Sequence, residues 1–226
     1  MYGPAVGAPM GRRFVDQRRR DPYYQAAQRE GLRSRAAFKL AYLDGRYHLL
    51  GRGARVLDLG AAPGGWSVIA LERVGRSGAV VAVDPRPIEP AEGLRVVRGR
   101  VGDPELPARL GNVPFDVVLS DMSPTISGAY ATDHARSVDL VRSAFALARK
   151  VLAARGSFVA KVFAGDMVEG LVDELRPHFD HVVRTKPPAS RAPSSELYLV
   201  GRGFRPVPSP KAADRTPEGP RPGSDI

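Results

Sequence analysis

At 226 residues the chain is long enough for one sizeable core, and with no cysteine it excludes disulfides, thiolate metal sites and cysteine nucleophiles. Its 34 lysines and arginines against 24 acids leave a net charge of +10. The excess is uneven, because nine basic residues face three acids between Met1 and Lys39, which is the footprint of a nucleic-acid-binding face or of a solvated basic tail.

In chain order, residues 1–20 are Gly/Pro/Arg-rich and are expected to form a basic disordered tail. An organellar transit segment would also be Arg-rich, but Gly3, Pro4, Gly7, Pro9 and Gly11 spoil an amphipathic helix. No signal-peptide stretch opens the chain and no apolar run reaches about 18 residues, so a cytoplasmic protein without membrane contact is expected, and a monomer. A single folded domain is expected over 21–204. Ser34 reads as the N-cap of a helix with Ala37, Leu40, Tyr42 and Leu43 on its apolar side, ending near Gly51.

ARVLDLG (Ala54–Gly60) is a short buried strand, followed by a glycine-rich loop and a helix from about Gly65 to Val74. AVVAVD (Ala79–Asp84) and LRVVRG (Leu94–Gly99) are the next strands, and FDVVLSD (Phe115–Asp121) follows a short helix near Ala108. A long helix over about 135–153, stopped by Gly156, leads to the strand GSFVAKVF (Gly156–Phe163). A helix over Val168–Pro177 and the strands HVVRT and ELYLVG complete the fold, and 205–226, with six prolines, reads as a Pro-rich disordered tail. Apolar strands alternating with helices predict an α/β fold with a mostly parallel sheet covered on both faces. The last two strands lack an intervening helix and are expected to pair antiparallel.

The loop DLGAAPGGW (Asp58–Trp66) sits where open α/β sheets bind ligands, at the carboxyl end of a strand. Gly60, Ala61, Pro63, Gly64, Gly65 and Trp66 are therefore candidate cofactor contacts. The loop is neither G-x-G-x-x-G nor a P-loop, which argues against a dinucleotide and a triphosphate. Asp84 ends the second strand, where an acid accepts hydrogen bonds from ribose hydroxyls, although an Asp capping the turn before Pro85 would look the same. Glycine loop and strand-end acid without a phosphate motif point to S-adenosylmethionine.

SRAAFKL (Ser34–Leu40), DLGAAPGGWS (Asp58–Ser67), VLSDMSP (Val118–Pro124), GSFVAKVF (Gly156–Phe163) and SRAPSSELYLV (Ser190–Val200) resemble, in order and spacing, the FtsJ/RlmE family of RNA 2′-O-ribose methyltransferases. The resemblance covers about 21–203. It implies a class I S-adenosylmethionine-dependent methyltransferase (Rossmann-like) fold with a seven-stranded sheet and one antiparallel strand. It also implies a Lys-Asp-Lys-Glu set that falls on Lys39, Asp121, Lys161 and Glu196, with Asp121 close to the transferred methyl group. One position departs: family members commonly carry an acid after the glycine of the third-strand motif, and this chain has Arg100 there, with Asp103 the nearest acid.

Transfer of a methyl group to a ribose hydroxyl requires a positioned oxygen and removal of its proton. A lysine does this only when neutral, a state favoured by a second lysine and partial burial and opposed by the carboxylates. Lys161 is assigned as the base, Asp121 as its orienter, and Lys39 and Glu196 as positioners. Cytosine C5 chemistry needs a cysteine, and base amino methylation usually carries an Asn/Asp-Pro-Pro-aromatic turn where this chain has Asp121-Met122-Ser123-Pro124. Arg29, Arg33, Arg35, Arg184, Lys186 and Arg191 are candidate phosphate contacts, and Tyr23, Tyr24 and Tyr130 candidate base-stacking residues. His48, His134, His178 and His181 show no metal-ligand spacing, so no metal is expected. The resemblance implies a uridine of large-subunit ribosomal RNA as substrate. A tRNA anticodon loop, and a noncatalytic RNA-binding assembly factor with the same fold, stay open.

Overall fold

The computed structural model describes residues 36–189 and 195–206. Both outer stretches of tail, the N-cap at Ser34, the phosphate candidates Arg29, Arg33, Arg35 and Arg191, and Tyr23 and Tyr24 lie outside them. The described elements run α1 (Ala36–Tyr47), β1 (Arg55–Leu59), α2 (Gly65–Val74), β2 (Ala79–Asp84), β3 (Leu94–Arg98), α3 (Leu106–Leu110), β4 (Phe115–Ser120), α4 (Tyr130–Val151), β5 (Leu152–Phe163), α5 (Met167–Leu175), a 3₁₀ turn (Arg176–His178), β6 (Phe179–Thr185) and β7 (Glu196–Phe204).

The seven strands form one sheet in the order β3-β2-β1-β4-β5-β7-β6. The pairs from β3 through β5 are parallel, while β7 lies antiparallel between β5 and β6. That is the expected α/β sheet with one reversed strand. Alternation along each strand sorts side chains to two faces. Leu57, Val81, Val118, Phe158 and Leu199 meet α3, α4 and α5 on one face, and Val56, Val80, Val117, Val159 and Val200 meet α1 and α2 on the other. On the first face Phe145, Phe158, Phe179 and Phe204 form a chain of rings with centroids 5.5 to 6.4 Å apart.

Among the boundaries that differ from the sequence reading, three have a local reason. α1 stops at Tyr47 rather than near Gly51, because His48 takes a left-handed φ of 51° and the Asp44 carboxylate accepts the Leu49 and Leu50 N–H groups at 3.1 and 2.8 Å. α4 starts at Tyr130 rather than 135, since Asp133 reaches back to accept Ser127 N–H and Oγ–H and Gly128 N–H, anchoring the helix start. β5 begins at Leu152, ahead of Gly156, through an irregularity at which Phe115 pairs with Leu152 and Val117 with Ser157. Arg205, expected to open the disordered tail, is tied to the fold by its N–H to His178 O at 2.8 Å and its guanidinium to Phe179 O at 2.7 Å.

Candidate active site

The parallel register brings the ends of three strands level: Leu59 of β1 pairs with Val83 of β2 and with Ser120 of β4. The next residues, Gly60 and Asp121, therefore open the exit loops side by side. Gly60 adopts φ 72°, and a Cβ there would stand 2.5 Å from Met122 Cγ, so only glycine lets the two loops close up. A cavity of about 640 Å³ lies at these exits, lined among others by Gly60, Ala62, Asp84, Arg86, Arg100 and Asp121. Its size is that of a small-molecule site.

Beyond Gly60, Ala61 is buried and donates its N–H to Val83 O at 3.2 Å, and the Ala62–Pro63 peptide is cis. Gly64, at φ 109°, caps α2, whose first-turn N–H groups from Gly65 onward have no helical acceptor. The Trp66 ring turns away from the cavity: its Nε1–H donates to Ala36 O at 2.7 Å and the ring packs 5.7 Å from that of Tyr198. Trp66 can thus face a ligand with its backbone only, and its side chain instead ties α2 to α1 and β7.

Burial pulls the Asp84 carboxyl upward, but hydrogen bonds from the Arg86 side chain and backbone and from Ala62 N–H outweigh it and hold the group below the usual carboxylate range. Asp84 is thus an anion facing the cavity. Asp58, two residues before Gly60, is different. It is fully buried, burial pushes its carboxyl up to about 7 against hydrogen bonding from Ser67, chiefly its Oγ–H at 2.6 Å and also its backbone N–H, and its Oδ1 meets no donor among the described residues.

The four charged residues converge as two ion pairs. Lys39 Nζ stands 2.6 Å from Glu196 Oε2, and Lys161 Nζ stands 3.1 Å from Asp121 Oδ1 while donating to the Asp121 carbonyl at 2.9 Å. Lys39 and Lys161 are buried, and both carboxylates keep partial access to solvent. Tyr198 joins the pairs: its hydroxyl donates to Asp121 Oδ1 at 2.8 Å and its ring lies under Lys39 Nζ, 5.7 Å from the centroid. The β5/β7 register accounts for this, since Lys161 sits opposite Tyr198 and Phe163 opposite Glu196. Lys39 is thus ion-paired with Glu196 and Lys161 with Asp121.

Other sequence candidates fall elsewhere. Arg184 lies opposite Leu199, on the sheet face away from Tyr198, and pairs with Glu169 of α5 at 2.9 Å. Lys186 follows the end of β6. Arg100 lines the cavity, whereas the Asp103 carboxylate accepts the Arg100 N–H at 2.7 Å and closes a turn. Tyr130 is exposed at the start of α4, stacked on His134, with its hydroxyl on Ala164 O. His134 is structural: it accepts Met167 N–H at Nε2, which leaves Nδ1–H to donate to Phe163 O. Among the described residues no cluster of three or more His, Cys, Asp or Glu could hold a metal, and no helix is long and apolar enough to cross a membrane.

The sequence reading left out Tyr198, Arg86 and the state of Asp58. Tyr198 was accessible to it, because residues two apart on a strand share a face and Tyr198 follows Glu196 by two. The orphaned Asp58 oxygen follows only from packing under α2.

Comparison with known proteins agrees with this geometry. The model of the FtsJ-like methyltransferase family matches residues 32–204. A protein of Methanothermobacter thermautotrophicus named Ribosomal RNA large subunit methyltransferase E is 46% identical over 202 residues, covering 87% of this chain and 95% of that one. One of the same name from Gluconobacter oxydans is 45% identical over 197 residues, covering 86% and 73%. A Plasmodium falciparum crystal structure described as a ribosomal RNA methyltransferase superposes with a TM-score of 0.68 at 28% identity, covering 76% of this chain and 98% of that one. The chain belongs to the FtsJ-like methyltransferase family.

Proposed function

We propose that the chain transfers a methyl group from S-adenosylmethionine to a ribose 2′-hydroxyl of large-subunit ribosomal RNA, with Lys161 as general base. The observation that carries this reading is the position of Asp121, which lines the cavity and at the same time holds Lys161 at 3.1 Å. Donor site and base therefore share one residue. The cavity fits the donor: Gly60 lines it, and Asp84 is an anion there, able to accept from ribose hydroxyls. Bound there, S-adenosylmethionine would supply a methyl group on a sulfonium, whose carbon–sulfur bond breaks with the electron pair left on sulfur.

The chain's own residues do the rest. Lys161, deprotonated before transfer, takes the hydroxyl proton at Nζ as the oxygen attacks carbon, and the Asp121 carboxylate faces the ammonium that results. Tyr198 fixes the Asp121 rotamer through its hydroxyl, and the Lys39–Glu196 pair closes the same wall. Relatives named for the large-subunit RNA support the substrate, and the basic segment before Lys39 suits phosphate contacts. The proposal includes a monomer working in the cytoplasm, where such RNA is met.

Incubation with methyl-labelled donor and purified large ribosomal subunits tests it, followed by mapping of alkali-resistant ribose. Label in a 2′-O-methylated uridine is expected. Label only in tRNA would move the substrate to an anticodon loop. No binding of the donor at millimolar concentration would favour a noncatalytic assembly factor.

A further inference from the structure

Three carboxyl groups project from one face of the sheet at the cavity floor. Asp58 pairs in register with Ala82 and Leu119, and these stand two residues before Asp84 and Asp121. Two residues along a strand span about 7 Å and restore the same face. Asp58 therefore lies one layer beneath the two acids that line the cavity, on the strand between theirs.

The acids above it have cations: Asp84 holds Arg86 and Asp121 holds Lys161. Of the other charges on that face, Lys39 of α1 is engaged by Glu196 of β7. From α2 the groups facing Asp58 are the neutral Ser67 hydroxyl and the Ser67 backbone N–H, and no lysine, arginine or histidine pairs with Asp58 among the described residues. An ionised carboxylate at full burial, without a cation and with one oxygen unpartnered, is among the least stable states a side chain can take, and protonation relieves it. The repulsion from Asp121 and Asp84 acts in the same sense.

We propose that Asp58 balances the charge of the cavity, holding a proton in the free protein and releasing it to solvent when S-adenosylmethionine enters. The inference rests on the donor proposed above. That donor brings a sulfonium, a fixed positive charge that cannot itself be titrated, into a site whose other acids already have partners. The carboxylic acid becomes a carboxylate, one proton goes to the buffer, and Ser67 Oγ–H remains as donor to Oδ2. Transfer of the methyl group leaves a neutral thioether, the positive charge departs, and Asp58 recovers its proton from solvent. Donor and product are thus told apart by charge at a residue that need touch neither.

Titration calorimetry of the full chain at pH 7, in phosphate and in Tris, counts the protons exchanged on binding. With the carboxyl near 7, wild type is expected to release about half a proton more than Asp58→Asn on binding S-adenosylmethionine. The excess is expected to shrink with S-adenosylhomocysteine, which lacks the sulfonium charge. Ser67→Ala removes the hydroxyl that favours the anion, so its release is expected to peak at higher pH. Equal proton counts in wild type and Asp58→Asn, equal excess for donor and product, or a Ser67→Ala profile superimposable on wild type would overturn the inference while leaving the donor intact. Absence of any binding at millimolar donor would overturn both.

Discussion

Asp58→Asn should change how the stability of the free protein depends on pH. The carboxyl ordinarily titrates at 3.8, and burial pushes it up to about 7 in the fold. With about 1.36 kcal/mol for each tenfold in proton affinity, ionising Asp58 costs the fold about 4 kcal/mol. Between those two values the folded state binds more protons than the unfolded chain, so stability falls as pH rises. Below 3.8 both states hold the proton and the contribution is complete; above 7 it is lost. Asparagine has nearly the same shape and cannot ionise, so the variant does not suffer this loss. Measured by urea unfolding at several pH values, the variant should gain about 2 kcal/mol on wild type between pH 5 and pH 7, with most of the gain complete by pH 8. Groups common to both proteins cancel in the difference. A difference that stays flat within about 0.5 kcal/mol across that range would refute the neutral carboxyl and the reasoning built on it.

Lys161→Ala should abolish methyl transfer while donor affinity, read by calorimetry, stays within a few-fold, and Lys161→Arg should be equally inactive because a guanidinium does not deprotonate; substantial turnover in either would remove lysine from the reaction. Tyr198→Phe deletes the hydroxyl on Asp121 Oδ1, so it should lower kcat roughly tenfold with KM little changed and cost about 1 kcal/mol of stability; an unchanged kcat would show that Asp121 needs no such support. Gly60→Ala forces a Cβ against Met122 at φ 72°, so it should destabilise the fold by about 1–3 kcal/mol and weaken donor binding. Melting curves that overlay wild type would count against the close approach of the two loops.

The sheet was legible because its strands are apolar runs cut by glycine and proline, and the order of elements left few alternatives. All seven strands fall where the runs lie. What stayed hidden was set by side chains reaching across the chain. The start of α4 depends on Asp133 turning back to Ser127, and the end of α1 on Asp44 reaching forward to Leu49, neither of which leaves a period in the sequence. At the site, the glycine loop, Asp84 and the four charges could be named from motif and spacing. Their division into two ion pairs could not, because it follows from which residue of β7 faces which residue of β5. Arg184 shows the reverse case, a basic residue close in sequence to the site motif and yet on the other face of the sheet.

The reversed strand β7 makes the register of one strand pair a master setting. Lys161 of β5 lies far along the chain from Glu196 and Tyr198 of β7, yet a single alignment places all three side chains on one face. A slip of β7 by one residue would send Tyr198 and Glu196 to the opposite face together, taking from Lys39 its carboxylate and from Asp121 the Tyr198 hydroxyl. The contribution of β7 to the site is therefore made or lost as a unit. A change of length within the strand would shift the pairing and with it both side chains. Anyone grafting this chemistry onto another sheet would have to transplant the strand pair rather than the residues.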